Sequence, residues 1–437
     1  MTLIGRISLL GLSLLALFST WRTAPAYVGI AMCVPAMLAS IWDQRRKGPD
    51  AITLVVIALA LWLTGRYALQ AWAGIGTAGL GNPEDDVRSW LYILLFAPLA
   101  ALPVQNPMHR VRMLWLLAMT GFALGVGTFL FEHGLDVLWS GRRLGFHLNR
   151  PLGAGLYAGC FALALLFTLR HWWRRKEGGT PWLKRIAGIG LIVLFAQVMI
   201  SAQNRSTFLA AMSVLVFSAG FIAMRRIRRS RTSGAKIATL AASFVAILVF
   251  GLMASSLDVI KKRSAIDQNA ISAMMIDGLE EAPISSATIR LRLWQFSIEQ
   301  FADAPLIGHG FGSLTAVIDR ELRPRGGLMK GERYDHVHNG FLQMLWTQGL
   351  VGCVLWSTLL GILVRDALRA AKQHPERRAL IPAMWALLAF AAIWSFFDFR
   401  LSHPDMRFFT ILMLLSLRLL GRSDDATQNV SAENRHP

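Results

Sequence analysis

DHVHNGFLQMLWTQGLVGCVLWSTLLGILV, residues 335–364, sets two histidines and an aspartate on the threshold of a run that carries no charge from Gly340 to Val364. A bilayer core about 30 Å thick takes about 20 apolar residues in a helix. Lipid admits only helices and closed barrels, because every backbone polar group must find an internal partner. The run is helix-length and lacks the alternation of a barrel strand. It reads as a membrane span with ionisable groups gathered at one mouth, and the rest of the chain must say what they face.

Similar runs recur along the chain. Of its 437 residues, 54% are hydrophobic and only 16% are charged, so the expected fold class is an all-α polytopic membrane protein. About twelve segments are expected from span length, at 3–20, 24–42, 51–73, 88–104, 111–131, 151–169, 184–201, 206–224, 237–257, 338–364, 379–397 and 405–420. They divide the chain into helices one to nine (1–257), a long partly helical loop (258–337), helices ten to twelve (338–421) and a tail (422–437). The first run, with Arg6 before it and Ala24-Pro25-Ala26 after it, also has the pattern of a cleavable secretory signal. Trp21 and Arg22 suit a helix end equally well, and a second apolar run follows at once.

Orientation follows from the basic loops, which stay on the cytoplasmic side. With the N-terminus inside, the cytoplasmic loops are DQRRKGPD, QNPMHRVR, RHWWRRKEGGTPWLKR, RRIRRSRTSGAK and RDALRAAKQHPERR, all basic. The net charge of +19 is then a topology signal and a surface for anionic lipid heads, not a sign of nucleic-acid binding. Arginines on the opposite side need another reason, and they cluster. SGRRLGFHLNR supplies Arg142, Arg143, His147 and Arg150, and the turn SAQNRS supplies Arg205.

The outward loop 258–337 is too long for a plain connector and should hold structure of its own. Its middle, SSATIRLRLWQFSIEQFADAP, predicts an amphipathic helix. Ile289, Leu293, Phe296 and Phe301 recur near helical spacing, Ser285 or Ser286 caps the start, and Pro305 follows the end. Arg290 and Arg292 lie in its early turns, GHGFG (308–312) makes a turn, and RPRGGLMKG (323–331) reads as loop. Such a helix suits a lid at the membrane surface.

Other chemistries find little support. Cys33, Cys160 and Cys353 all fall inside apolar segments without disulfide or zinc spacing. GHGFG lacks the lysine and strand context of a phosphate loop, so nucleotide-driven chemistry is not expected. Asp335, His336 and His338 could group around a metal, but without a further ligand at shared spacing the signal is nonspecific, and neither metal nor cofactor is expected. Outward arginines beside a histidine suit a lipid-linked diphosphate. Guanidinium groups hold phosphate oxygens bidentately while a leaving group gains charge, and a histidine can accept a proton near neutral pH. Helix capping or packing is the plainer reading of His338, and solvated loop charge that of the arginines. Arg66 is expected to snorkel to the interface, and Asp398 and Arg400 of FFDFRLSHPD to pair locally outside any catalytic role.

These residues resemble the O-antigen ligase and polymerase superfamily of bacterial envelopes. The likeness rests on His338-Asn339, then nine residues and Gly349-x-x-Gly352, with an outward arginine turn SAQNRS and a loop-helix arginine in ATIRLRLW. The resemblance implies a GT-C-like inner-membrane glycosyltransferase with a periplasmic site. It gives Arg205, Arg290 and His338 catalytic roles; apart from it, their outward placement makes Arg142, Arg143, Arg150, Arg292, His336 and Asn339 the expected substrate-binding residues. One long loop and a short tail favour the ligase, which moves a finished glycan from undecaprenyl diphosphate to lipid A-core, over a polymerase or a protein O-oligosaccharyltransferase. That choice is analogy from architecture. The competing class, a transporter or flippase of lipid-linked glycan, should carry repeated halves or broken helices near the midplane, and the sequence has no convincing pair.

Overall fold

The computed structural model describes residues 3–44, 48–73, 82–102, 106–148, 151–174, 181–229, 258–401 and 403–422. Among these residues every regular element is helical. Eight helices are long and apolar enough to cross a membrane: Thr23–Trp42, Ala51–Trp72, Pro107–His133, Pro151–Thr168, Arg185–Ala202, Arg205–Arg225, Gly340–Gln373 and Pro375–Phe397. The protein is an all-α polytopic membrane protein.

Two expected spans need comment. The fourth, 88–104, is not one helix: Pro83–Ile93 ends and Phe96–Ala100 begins after a turn at Leu94 and Leu95. Pro98 has no N–H to give Leu94 and its ring would crowd that carbonyl, so the break follows from its chemistry. The ninth, 237–257, lies outside the described residues. Leu3–Phe18 and Pro404–Gly421 are helices packed into the bundle. Gly11 and Gly29 let the first two helices approach so closely that a Cβ on either would meet the other's carbonyl oxygen at 2.6 or 2.5 Å, the small-residue contact on which helix pairs in lipid depend.

An aromatic cluster ties four helices together. Phe122 meets Phe161 at 5.4 Å and Phe195 at 5.6 Å between ring centroids, and Phe409 meets Tyr157 at 5.1 Å. At the basic end, Arg418 pairs with Asp50, Arg377 donates to the Leu420 carbonyl, and Arg422 donates to the Ala100 carbonyl. Basic residues there hold helix ends as well as charge the surface.

The opposite end carries the long loop, which has a core of its own, as its length predicts. Helix Ser286–Phe301 buries Ile289, Leu293 and Phe296 against Leu314, Ile318, Val337 and Trp346. Ser285 caps it in a reciprocal box with Thr288. Beyond Pro305 the GHGFG segment is stitched into a break in helix Gly340–Gln373. Gly349 has φ 65° and ψ −168°, so the ladder fails there. Leu350 N–H donates to the Pro305 carbonyl at 2.9 Å and Val351 N–H to Leu306 at 3.2 Å, while the freed Trp346 carbonyl accepts from His309 N–H at 2.6 Å. Any Cβ at Gly349 would lie 2.2 Å from the Leu306 oxygen. Arg66 does not snorkel. It is buried and donates to the carbonyls of Ile307 and Gly308, each at 2.9 Å, because an arginine inside an apolar span is stable only against protein acceptors.

Candidate active site

His338 sits where the long loop enters helix Gly340–Gln373, in the left-handed region at φ 53°. A β-carbon makes that conformation costly, so the surroundings must impose it. On one side Val337 is fully buried: its carbonyl accepts from Trp294 Nε1 at 3.0 Å, and its N–H donates to Gln343 Oε1 at 3.0 Å. On the other, Asn339 caps the helix, its side-chain oxygen accepting from Phe341 N–H at 3.0 Å and Leu342 N–H at 3.1 Å. Capping is thus what Asn339 does. The imidazole between them is held by backbone it cannot rotate.

Nδ1 of His338 faces Asp398, 3.7 Å from its Oδ1. That is a charge contact but too long for a hydrogen bond, and Nδ1 is buried without another partner. Asp398 is 4% exposed, follows the Ile381–Phe397 helix, and its Oδ1 accepts the Phe399 N–H at 2.8 Å. Burial alone would raise its pKa, but His338, His336 and Arg290 together hold the carboxyl below its ordinary range. Burial pushes His338 below the usual imidazole value, with Asp398 opposing and His336 and Arg290 assisting. The site therefore favours a neutral imidazole facing an ionised carboxylate. Of the local pairing expected in FFDFRLSHPD, Arg400 finds Asp405, at 3.3 Å, which also accepts from the Tyr157 hydroxyl at 2.7 Å, while Asp398 faces His338 instead.

His336 stacks edge-on to His338, ring centroids 4.2 Å apart, and its Nδ1 meets Asp335 Oδ1 at 2.5 Å. That hydrogen bond pulls Asp335 down to about 2. His336, His338 and Asp398 offer ligand atoms within 4.8 Å of one another, enough to hold a metal ion. The grouping differs from Asp335, His336 and His338, since Asp398 takes the inner place. Arg290 presses positive charge on the same carboxylate, which opposes a cation there.

Arg290 is half-buried in the first turns of the loop helix, and its Nε has no partner. Burial lowers its pKa, and it lies within electrostatic reach of Asp398, Arg205 and Asp267. Arg205 opens its helix after the Asn204 turn and pairs with Asp267 of helix Asp258–Asp277. The three residues expected to be catalytic, from three separate stretches of chain, thus share one electrostatic neighbourhood. His336 joins them through its contact with His338, whereas Arg292 does not. Arg292 is buried with its guanidinium spent on the carbonyls of Gly327, Leu279, Glu280 and Ala282. It staples the loop, and a phosphate would have to displace those bonds. Arg142 is exposed, and Arg143 donates to the Ala202 carbonyl at 3.3 Å beside the Arg205 turn. Arg150 lies outside the described residues.

Sequence reading missed Asp398 and Asp267. The one available signal was a carboxylate at the outward end of an apolar segment, FFDF, where a lone acid needs a partner.

A family model described as O-Antigen ligase matches residues 190–357, a stretch holding Arg205, Arg290, His338, Gly349 and Gly352 but ending before Asp398. A search of curated proteins finds no significant match. Over that region, residues 190–357, the chain is similar to the O-antigen ligase family.

Proposed function

We propose that this protein is a glycan ligase of the periplasmic face of the bacterial inner membrane. It transfers a preassembled glycan from undecaprenyl diphosphate to a sugar hydroxyl of lipid A-core. The observation that carries the reading is the meeting of a half-buried, charge-flanked His338 with Arg290 and Arg205 at one end of the bundle. His338 takes the proton of the acceptor hydroxyl as that oxygen bonds to the anomeric carbon. The bond from that carbon to the diphosphate oxygen breaks, its electron pair leaving with the lipid diphosphate. Arg205 and Arg290 bind the growing negative charge, and Arg205 exchanges Asp267 for phosphate oxygens as the donor enters. Asp398 faces the imidazole and stabilises it by charge once protonated, as an acid behind a histidine base does elsewhere. A single displacement inverts the anomeric centre.

Purified protein in lipid, given undecaprenyl-diphosphate glycan and lipid A-core without ATP and with chelator, should yield one glycan block per acceptor. Extension on the carrier with no transfer to lipid A-core would make it a polymerase. Unchanged donor delivered across the bilayer would make it a transporter. Activity lost to chelator and restored by one metal would assign His336, His338 and Asp398 as ligands instead.

A further inference from the structure

The stitched segment Pro305–Gly312 lies at a depth its place in a loop would not suggest. Its partner Leu350 is about three turns past Asn339, on the order of 15 Å along the helix, and Arg66 is nearly two turns, about 9 Å, short of the Trp72 end of its own span. Both helices therefore meet the segment well inside their outward ends. Arg66 and Gln70, 5% and 2% exposed within an otherwise apolar span, take their acceptors from it. Gln70 both donates to the Phe311 carbonyl at 2.7 Å and accepts the Phe311 N–H at 2.9 Å. Ser313 Oγ donates to the Gly310 carbonyl at 2.9 Å, and Gly308 N–H to Ala304 at 2.9 Å. Irregular backbone survives at membrane depth only with such internal satisfaction, and an aqueous loop has no need of it. Meanwhile Leu306 and Ile307 stand 61% and 40% exposed. On the two helices that the segment joins, Leu350 and Val354 of one and Leu61 and Leu69 of the other are exposed as well.

We propose that Pro305–Gly312 is a re-entrant segment set into the outer leaflet, with Leu306 and Ile307 facing the acyl chains of bilayer lipid. It anchors the C-terminal end of helix Ser286–Phe301, and so the height of Arg290, to the membrane itself. The proposal rests on the membrane fold and stands whether or not the transfer reaction is as described above.

Leu306→Cys and Ile307→Cys, each in the full chain with Cys33, Cys160 and Cys353 replaced by alanine, would carry an environment-sensitive fluorophore in nanodiscs. Lys330→Cys, on the exposed part of the same loop, is the aqueous reference. Labels at 306 and 307 should be quenched several-fold more by acyl-chain nitroxide lipid, and several-fold less by iodide, than the label at 330. The unsubstituted protein provides an independent reading: a lipid with a photoactivatable acyl chain should mark the peptide holding Leu306 and Ile307 as it marks the one holding Val354. Iodide quenching equal to that at 330, or marking at Val354 with none at 306–307, would overturn the proposal.

Discussion

In the proposed reaction His338 would do chemistry from a conformation that costs free energy, and its neighbours identify the measurement. A neutral imidazole must accept the proton, so turnover should rise with pH through the His338 pKa. Burial places that pKa below the ordinary 6.5, and the acid limb should lie there too. Asp398 favours the imidazolium, so Asp398→Asn should move the limb to still lower pH while reducing the plateau rate. A purely structural aspartate would lower the rate and leave the limb in place. His338→Ala should lose about 10²–10⁴ in transfer, the usual contribution of a general base, while membrane insertion and donor binding persist. Near-normal turnover by that variant would end the base assignment. For the clamp, Arg205→Ala and Arg290→Ala should each depress transfer strongly. Lysine should rescue poorly, because it keeps the charge and loses the planar fork. Unchanged donor binding and transfer in both alanine variants would return these residues to ordinary loop charges.

At the scale of elements, the break at Gly349 and the segment inserted into it form one joint. Arg66→Ala would leave the Ile307 and Gly308 carbonyls buried without donors, at about 1–3 kcal/mol for each unsatisfied group. Gly349→Ala forces a β-carbon into left-handed backbone and against the Leu306 oxygen, so it should destabilise at least as much. Thermal unfolding in detergent should report a lower midpoint for both variants, and limited proteolysis should cut the loop between 304 and 331 faster. Wild-type midpoints and cleavage rates would mean the joint is ornamental. The loop helix keeps its own capping box, but the core around Leu293 and Phe296 shares Trp346 with the joint, so only its N-terminal end is insulated.

Across the whole molecule the two ends differ in kind. One is basic and braced by Arg377, Arg418 and Arg422, while the other collects the long loop, the Arg205 turn and Asp398. The positive-inside rule puts the braced end in the cytoplasm. A membrane-impermeant thiol reagent applied to intact spheroplasts should therefore label Lys330→Cys and Arg142→Cys, and should reach Lys372→Cys only after lysis. The reverse pattern would turn the protein over and remove the site from the periplasm.

Much of this was determined by the sequence alone. Apolar run length dictates helices, because lipid leaves the backbone no other way to satisfy its polar groups. Basic residues dictate which loops share a side, and Ser285 with Thr288 marks the start of the loop helix. His338, Arg205 and Arg290 were legible as charges without a topological excuse. What the tertiary structure decided is which helix ends meet, since spacing along a chain says nothing about packing between distant spans. Asp398 gained meaning only when its helix end was set beside His338, and Arg292 lost its expected role when the loop folded its carbonyls around it. Arg66 looked like an interfacial charge because its acceptors lie 241 and 242 residues away. A lone glycine in an apolar helix is commonly tolerated, so only the packed loop reveals that Gly349 opens the helix and that Pro305–Gly312 fills the gap.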